Sequence, residues 1–342
     1  MVSPSPTPLL HVEGLTTTFH AGGAPFAVVD EVDLYVNRGE FVGVVGESGC
    51  GKSVMALSLM RLLEEPEASV RARSLRLGDQ ELLSLTEHQM CSVRGKRMGM
   101  VFQEPMTSLN PVYTVGWQVS EGMRIHERLA RNDAWERSVA MLTRVGISDA
   151  REIAHAYPHQ LSGGMRQRGV MAIALACGPE LLLADEPTTA LDVTLQKQFL
   201  ELIQSLRAEQ NLGVLFISHD LSVIASQADR VYVMYAGQVV ETGTAAEVLH
   251  SPRHPYTQGL LASIPGMGEP SERTEMFAEK RPRKRLPTIE GTVPDVRQLP
   301  AGCRFAPRCV SRVDACTKAA VPLRALSATQ SVRCVRAEEL AS

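Results

Sequence analysis

Eight consecutive residues, Gly46-Glu47-Ser48-Gly49-Cys50-Gly51-Lys52-Ser53, fit the pattern G-x-x-x-x-G-K-[ST] in full. In such a stretch Gly46, Gly49 and Gly51 let the loop curl, with Ser48 inside it, until several backbone N–H groups point at phosphate oxygens. A helix starting at the end of the loop adds the positive end of its dipole. Lys52 can then reach the β- and γ-phosphates of a bound nucleotide, and the Ser53 hydroxyl is placed to ligate Mg²⁺. A glycine-rich turn before a helix is the bland alternative, and Cys50 reads as incidental. A second stretch, Leu181-Leu182-Leu183-Ala184-Asp185-Glu186-Pro187, is an apolar run ending in two adjacent acids. At the C-terminal end of a buried parallel strand, where ligands bind in open α/β sheets, Asp185 can hold Mg²⁺ directly or through water. Glu186 can polarise an attacking water as general base, a role worth roughly 10²–10⁴ in rate. Taken alone the pair reads as a strand ending in a solvated acidic turn; beside a phosphate cradle the chemical reading prevails.

Both stretches need a sheet and helices to hold them, and the surrounding sequence supplies the signals. Val32, Leu34 and Val36 alternate on one face of a strand and Asn37-Arg38-Gly39 turns. A short strand, Phe41 to Val45, leads into the cradle and a helix from near Gly51, the first half of a parallel α/β unit. From about Arg97 to Ala176 the chain reads as a helical insertion. Its clearest helix has Asp133 as N-cap, Glu136 three residues on, Trp135, Val139, Leu142 and Val145 along one face, and Gly146 as the stop. Strands return at Leu181–Ala184 and Val214–Ser218 around a helical stretch from Leu195 to Leu206, and Val231–Tyr235 pairs with Gln238–Glu241 through Ala236-Gly237. After about Ser251 prolines become frequent, the basic run Lys280 to Arg285 reads as a solvated linker, and a small appended domain follows. No internal repeat is visible.

With 342 residues, two domains are expected at about 150 residues each. The formal net charge of -3 argues against a dedicated nucleic-acid binder. The most apolar stretch, Val170 to Cys177, is far shorter than the roughly 18–20 residues of a membrane span. The N-terminal MVSPSPTPLL lacks the character of a secretory signal, so a cytoplasmic location is expected. Of seven cysteines, Cys303, Cys309, Cys316 and Cys334 crowd the final segment, which in a reducing compartment suits a metal better than disulfides.

Leu161-Ser162-Gly163-Gly164-Met165-Arg166-Gln167-Arg168 resembles the signature sequence of ABC ATPases, and other landmarks of that family follow in order over about residues 9–250. Gln103 matches the Q-loop glutamine, Ala190-Leu191-Asp192 the D-loop and His219 the switch histidine. Phe19 matches the aromatic that stacks on adenine, with Phe26 as an alternative. The resemblance implies an α/β P-loop NTPase: a RecA-like core, an antiparallel β subdomain and a helical ABC subdomain. It also implies a head-to-tail dimer that closes over two ATP molecules. Each would lie between the cradle of one subunit and Ser162-Gly163-Gly164 of the other, with Asp192 nearby, Glu186, His219 and Gln103 at the chemistry, and Ser53, Gln103 and Asp185 around Mg²⁺. No landmark is degenerate, which predicts a catalytically competent site.

His254-Pro255-Tyr256-Thr257-Gln258-Gly259-Leu260-Leu261 and Gly302-Cys303-Arg304-Phe305-Ala306-Pro307-Arg308-Cys309 look like segments of the ATPases of oligopeptide and dipeptide importers. This implies a nucleotide-binding domain over residues 1–250, a C-terminal domain over 251–342, and uptake of di- or oligopeptides; relatives import nickel, glutathione or murein peptides. The implied partners are a paralogous ABC ATPase subunit (a heterodimer rather than a homodimer), two membrane permease subunits and an extracytoplasmic substrate-binding protein. The chain would then be peripheral, on the cytoplasmic face of the cell inner membrane, with no nucleic-acid partner; a soluble ABC protein acting on ribosomes or DNA is the rival. The spacing C-x5-C-x6-C-x17-C offers none of the two-residue gaps usual in zinc ribbons. A 4Fe–4S cluster stapling a small domain is the favoured reading, with Zn²⁺, free or disulfide-bonded cysteines and a redox-sensing tail as alternatives.

Overall fold

The computed structural model describes residues 7–20, 23–103, 108–188, 192–264 and 288–340. Its first strands, β1 (Leu10–Phe19) and β2 (Phe26–Val36), pair antiparallel, and Val32, Leu34 and Val36 are buried on one face as their alternation requires. With β4 (Ala68–Arg71), β5 (Ser74–Leu77) and β6 (Gln80–Glu81) they form a five-stranded sheet in the order β2-β1-β5-β6, β4 also pairing with β1.

The second sheet carries the chemistry. β3 (Phe41–Val45), β7 (Met98–Val101), β8 (Leu181–Asp185), β9 (Gly213–Ser218) and β10 (Arg230–Tyr235) run parallel in the order β10-β3-β9-β8-β7. Every residue of β3, β8 and β9 is buried, the character of strands covered on both faces. Their side chains alternate between two cores. Phe41, Leu182, Ala184 and Phe216 pack on one side, while Val42, Leu181, Leu183 and Leu215 pack on the other with the antiparallel subdomain. β10 turns back through Ala236 and Gly237, both at positive φ, into β11 (Gln238–Thr244); two such residues in succession make the hairpin turn that matches strand twist.

Among the described residues, the helices up to the middle of the chain include α1 (Lys52–Leu59), α2 (Glu87–Val93), α3 (Val115–His126), α4 (Arg131–Arg144), α5 (Ala150–His155) and α6 (Gly163–Leu175). α3 to α6 form the helical insertion. The cap expected at Asp133 is not there. α4 and its cap come three residues earlier, with extended Ala130 as N-cap and no side-chain cap bond, so Asp133 falls in the first turn. It still favours the positive end of the helix dipole there, while Glu136 accepts from Arg151 at 2.9 Å instead of reaching back to the cap. Gly146, at φ +84, ends the helix as expected.

α7 (Val193–Gln210) contains the helical stretch expected from Leu195 to Leu206, and α8 (Leu221–Gln227) and α9 (Ala245–His250) complete the core. Beyond α10 (Pro255–Ala262), residues 288–340 hold little regular structure: the short α11 (Ala315–Lys318) and a hairpin of β12 (Arg324–Ala325) and β13 (Ser331–Val332). β13 pairs with β11 and so lengthens the nucleotide-side sheet. Phe305, 4% exposed, packs edge-on to Tyr235 at 5.2 Å and against Tyr256 at 5.3 Å. Buried Glu241 accepts from the N–H groups of Arg253 at 2.7 Å and His254 at 2.9 Å and from Gln330 at 3.1 Å. The basic run Lys280 to Arg285 lies outside the described residues. Among those described, no helix is long and apolar enough to cross a membrane.

Candidate active site

The cradle forms because β3 must stop at Gly46. A Cβ there would stand 2.2 Å from the Met234 carbonyl oxygen and 2.8 Å from Cys50 Sγ, so only glycine lets the loop pass β10 this closely. Gly49 and Gly51 follow at φ +78 and +101, the chain enters α1, and Ser48 and Gly49 face solvent. Lys52, 4% exposed, donates from Nζ to the carbonyls of Gly46 at 2.8 Å and Glu47 at 3.1 Å.

β8 delivers the two acids to the same end of the sheet. Asp185 is 3% exposed, has the Ser53 side chain close enough to act on its carboxyl, and keeps one oxygen, Oδ1, without a hydrogen-bond partner among the described residues. Burial pushes its carboxyl above the usual carboxylate range, against the opposing effects of Ser53 and Lys52. A dry carboxylate oxygen beside a hydroxyl is the donor set a hard cation takes, so Ser53 and Asp185 fit Mg²⁺. Glu186 comes next, at φ +45 and 8% exposed, with Oε1 3.9 Å from Lys52 Nζ. Its Oε2 lies 3.0 Å from His219 Nδ1 and accepts from Gln103 Nε2 at 3.4 Å. The loops after β7, β8 and β9 therefore bring Gln103, Glu186 and His219 to one point beside Lys52.

Ser162 caps α6, its Oγ accepting from the Met165 N–H at 3.3 Å; Ser162 and Gly163 are exposed at that helix N-terminus. Asp192 likewise caps α7, accepting from the Leu195 N–H at 2.9 Å. Ala190 and Leu191 lie outside the described residues. Phe19 and Phe26 pair across β1 and β2 and stack at 6.2 Å, so the two candidates for the base-stacking ring form one aromatic step, with the Arg297 guanidinium 4.8 Å from the Phe26 ring.

The tail contributes more than its sequence suggested. The Tyr256 hydroxyl accepts from the Glu47 N–H at 2.8 Å, and Arg308 grips the Glu47 carboxylate with two hydrogen bonds, at 2.6 and 3.0 Å. The one signal that could have found this is Glu47 itself, an acid inside the loop that the sequence reads as a phosphate cradle. The four clustered cysteines, Cys303, Cys309, Cys316 and Cys334, line a single cavity together with His254 and Phe305. Burial pushes the Cys303 thiol up to about 11 and raises those of Cys309 and Cys334. The expected metal staple is not met in its simplest form: among the described residues no three His, Cys, Asp or Glu side chains are grouped to hold a single ion.

Comparison with known proteins gives the chain's family. Residues 29–189 match the ABC transporter family model, and residues 240–316 match the oligopeptide/dipeptide transporter C-terminal region. A Brucella abortus protein provisionally named a peptide import ATP-binding protein is 50% identical, over 98% of this chain and 99% of its own. The oligopeptide transport ATP-binding protein AppD of Bacillus subtilis is 46% identical over 97% of each chain. Among solved structures, the dimeric ATP-binding cassette MJ0796 bound to ADP and Pi superposes with a TM-score of 0.61 at 27% identity, covering 69% of this chain and 98% of that one. This chain belongs to the ABC transporter family, as an ATP-binding subunit of its oligopeptide/dipeptide branch.

Proposed function

We propose that this chain hydrolyses ATP to drive uptake of di- or oligopeptides through a membrane transporter. The observation that carries the proposal is the convergence on Glu186: its carboxylate stands at the end of β8, 3.0 Å from His219, 3.4 Å from Gln103 and 3.9 Å from Lys52. Glu186 takes a proton from the water that attacks the γ-phosphorus as the bond to the bridging oxygen breaks and ADP leaves; His219 and Gln103 hold its carboxylate and the water in line, and Lys52 meets the charge that develops on the phosphoryl oxygens. Mg²⁺, when held by Ser53 and Asp185, neutralises phosphate charge. Phe19, with Phe26 beside it, carries the base.

Ser162-Gly163-Gly164, at the exposed N-terminus of α6, forms an anion site that a second subunit's ATP completes when the two close head to tail; Asp192 lies at that interface. The dimeric state of the solved MJ0796 cassette supports this arrangement. We assign the second subunit to a paralogous ATPase, the other partners to two permeases and a substrate-binding protein, and the location to the cytoplasmic face of the membrane. The chain divides near residue 250, the 240–316 match supporting a distinct C-terminal unit. The four cysteines are assigned to a 4Fe–4S cluster: they line one cavity, and their spacing lacks the two-residue gaps usual in zinc ribbons.

Glu186→Gln tests the central claim. It keeps shape and hydrogen bonding while removing the base, so phosphate release falls about 10²–10⁴-fold while MgATP still binds. Release above a tenth of the wild-type rate would sink the assignment of Glu186.

A further inference from the structure

Every polar group of Glu47 is held, and two of the three holds come from the end of the chain. Its N–H donates to the Tyr256 hydroxyl at 2.8 Å, its carbonyl accepts from Lys52 Nζ at 3.1 Å, and its carboxylate receives the Arg308 fork. Arg308 is 6% exposed and its remaining donors are also used: Nε on the Glu290 carbonyl at 2.8 Å, Nη2 on the Ile289 carbonyl at 3.2 Å, Nη1 against the Tyr235 hydroxyl at 3.3 Å. A guanidinium this fully engaged is fixed in orientation and cannot follow Glu47 if the loop moves. Glu47 is also the only acid within the cradle, Gly46 to Ser53. Left free it would repel a triphosphate and compete with it for Lys52.

We propose that Arg308 is a positioning residue of the ATP site: from the C-terminal segment it neutralises Glu47 and turns that carboxylate away from the phosphates, so that the cradle is electrostatically complete only when the tail is docked. This rests on the reading of Gly46–Ser53 as the nucleotide cradle. It explains why an acid is tolerated inside a phosphate-binding loop. It also gives the tail a function in nucleotide binding that does not depend on the contents of its cysteine cavity. Arg308 touches no reacting atom and acts through Glu47 alone, so its effect falls on MgATP affinity rather than on turnover at saturation.

The test uses the full-length chain and titration calorimetry with MgATP. Arg308→Gln is expected to weaken binding at least about tenfold, in line with truncating one member of a desolvated charge pair. In a Glu47→Gln background the same replacement should cost less than about threefold, because the charge Arg308 answers is gone. Arg308→Lys, which keeps the charge without the fork, should bind between wild type and Arg308→Gln. An equal loss in both backgrounds means Arg308 only holds the tail in place, and overturns the proposal. So does wild-type affinity in Arg308→Gln, or Arg308→Lys binding no better than Arg308→Gln. Lys52→Ala, run in parallel, separates the two levels. If it too binds MgATP like wild type, the cradle assignment fails; if it loses binding while Arg308→Gln does not, only the role of Arg308 fails.

Discussion

Adding one methyl group at Gly163 separates what this chain does alone from what it does in a closed pair. Gly163 is the first residue of α6, after the Ser162 cap, and its backbone is not in the left-handed region. A Cβ built on it meets no heavy atom within 4 Å of this chain. Alanine also favours helix over glycine by up to about 1 kcal/mol, which for a chain this long shifts the melting temperature by no more than about 2–4 °C. The fold of Gly163→Ala is therefore at least as stable as wild type, and its own cradle binds MgATP as before. The loss falls on the partner's ATP. If the exposed N–H groups of α6 receive the γ-phosphate held by the other subunit, a methyl on that face keeps the two apart. Removing one such donor costs about 10²–10³ in rate, or 2.7–4 kcal/mol. The assay is phosphate release by the assembled complex, with melting temperature and MgATP affinity measured on the isolated chain. Hydrolysis within threefold of wild type would refute the placement of Gly163 against a second nucleotide. A melting temperature lowered by more than 4 °C would show that the residue is packed within its own chain. Gly164 is not equivalent, because a Cβ there stands 2.7 Å from Leu195 Cδ1.

Gly46→Ala should fail in the opposite way: its Cβ meets the Met234 carbonyl at 2.2 Å, a backbone atom of β10 that cannot swing aside. The isolated chain is expected to lose about 1–3 kcal/mol of stability and most of its MgATP affinity, both read by denaturant unfolding and calorimetry; unchanged affinity would mean the loop does not need its observed path. For the cysteine cavity, protein purified without oxygen should contain about four iron and four acid-labile sulfide per chain and absorb broadly near 400 nm. Cys309→Ala should abolish that absorption, whereas a colourless wild-type protein holding zinc would remove the cluster from the proposal.

The ATP site was legible because its chemistry is written in short contiguous runs whose elements the sequence also announces. β3 and β8 are near-continuous apolar runs between turn residues, and each ends where its functional residues begin, at Gly46 and at Asp185. The meeting of Gln103, Glu186 and His219 could be inferred only from family resemblance. Nothing local tells a glutamine after β7 that it will stand 3.4 Å from an acid after β8; parallel pairing of β7, β8 and β9 does that. The misplaced cap at Asp133 shows the limit at smaller scale. Capping chemistry marks a helix start only if no competent residues precede it, and Arg131 and Asn132 extend α4 through a boundary the pattern did not resolve.

What stayed hidden was the attachment of the tail, and the reason is physical. Periodicity senses which face of an element is buried, but residues 288–340 contain almost no elements long enough to have a face. Apart from the two-residue pairing of β13 with β11, much of their docking is made of single contacts between residues far apart in the chain, among them Arg304 with Asp30, Arg308 with Glu47, and Phe305 with Tyr235 and Tyr256. Such contacts leave a trace only where one partner is unreasonable by itself. Glu47 is that case. A carboxylate placed in the proposed phosphate-binding loop opposes the function of that loop unless a cation is brought to it, and Lys52, the one cation in the loop, already donates to the carbonyls of Gly46 and Glu47. The cation must then come from elsewhere in the fold, in a fixed orientation and with its other donors satisfied. In this chain Arg308 meets all of these conditions, so the acid in the cradle and the arginine beside Cys309 are two halves of one electrostatic device.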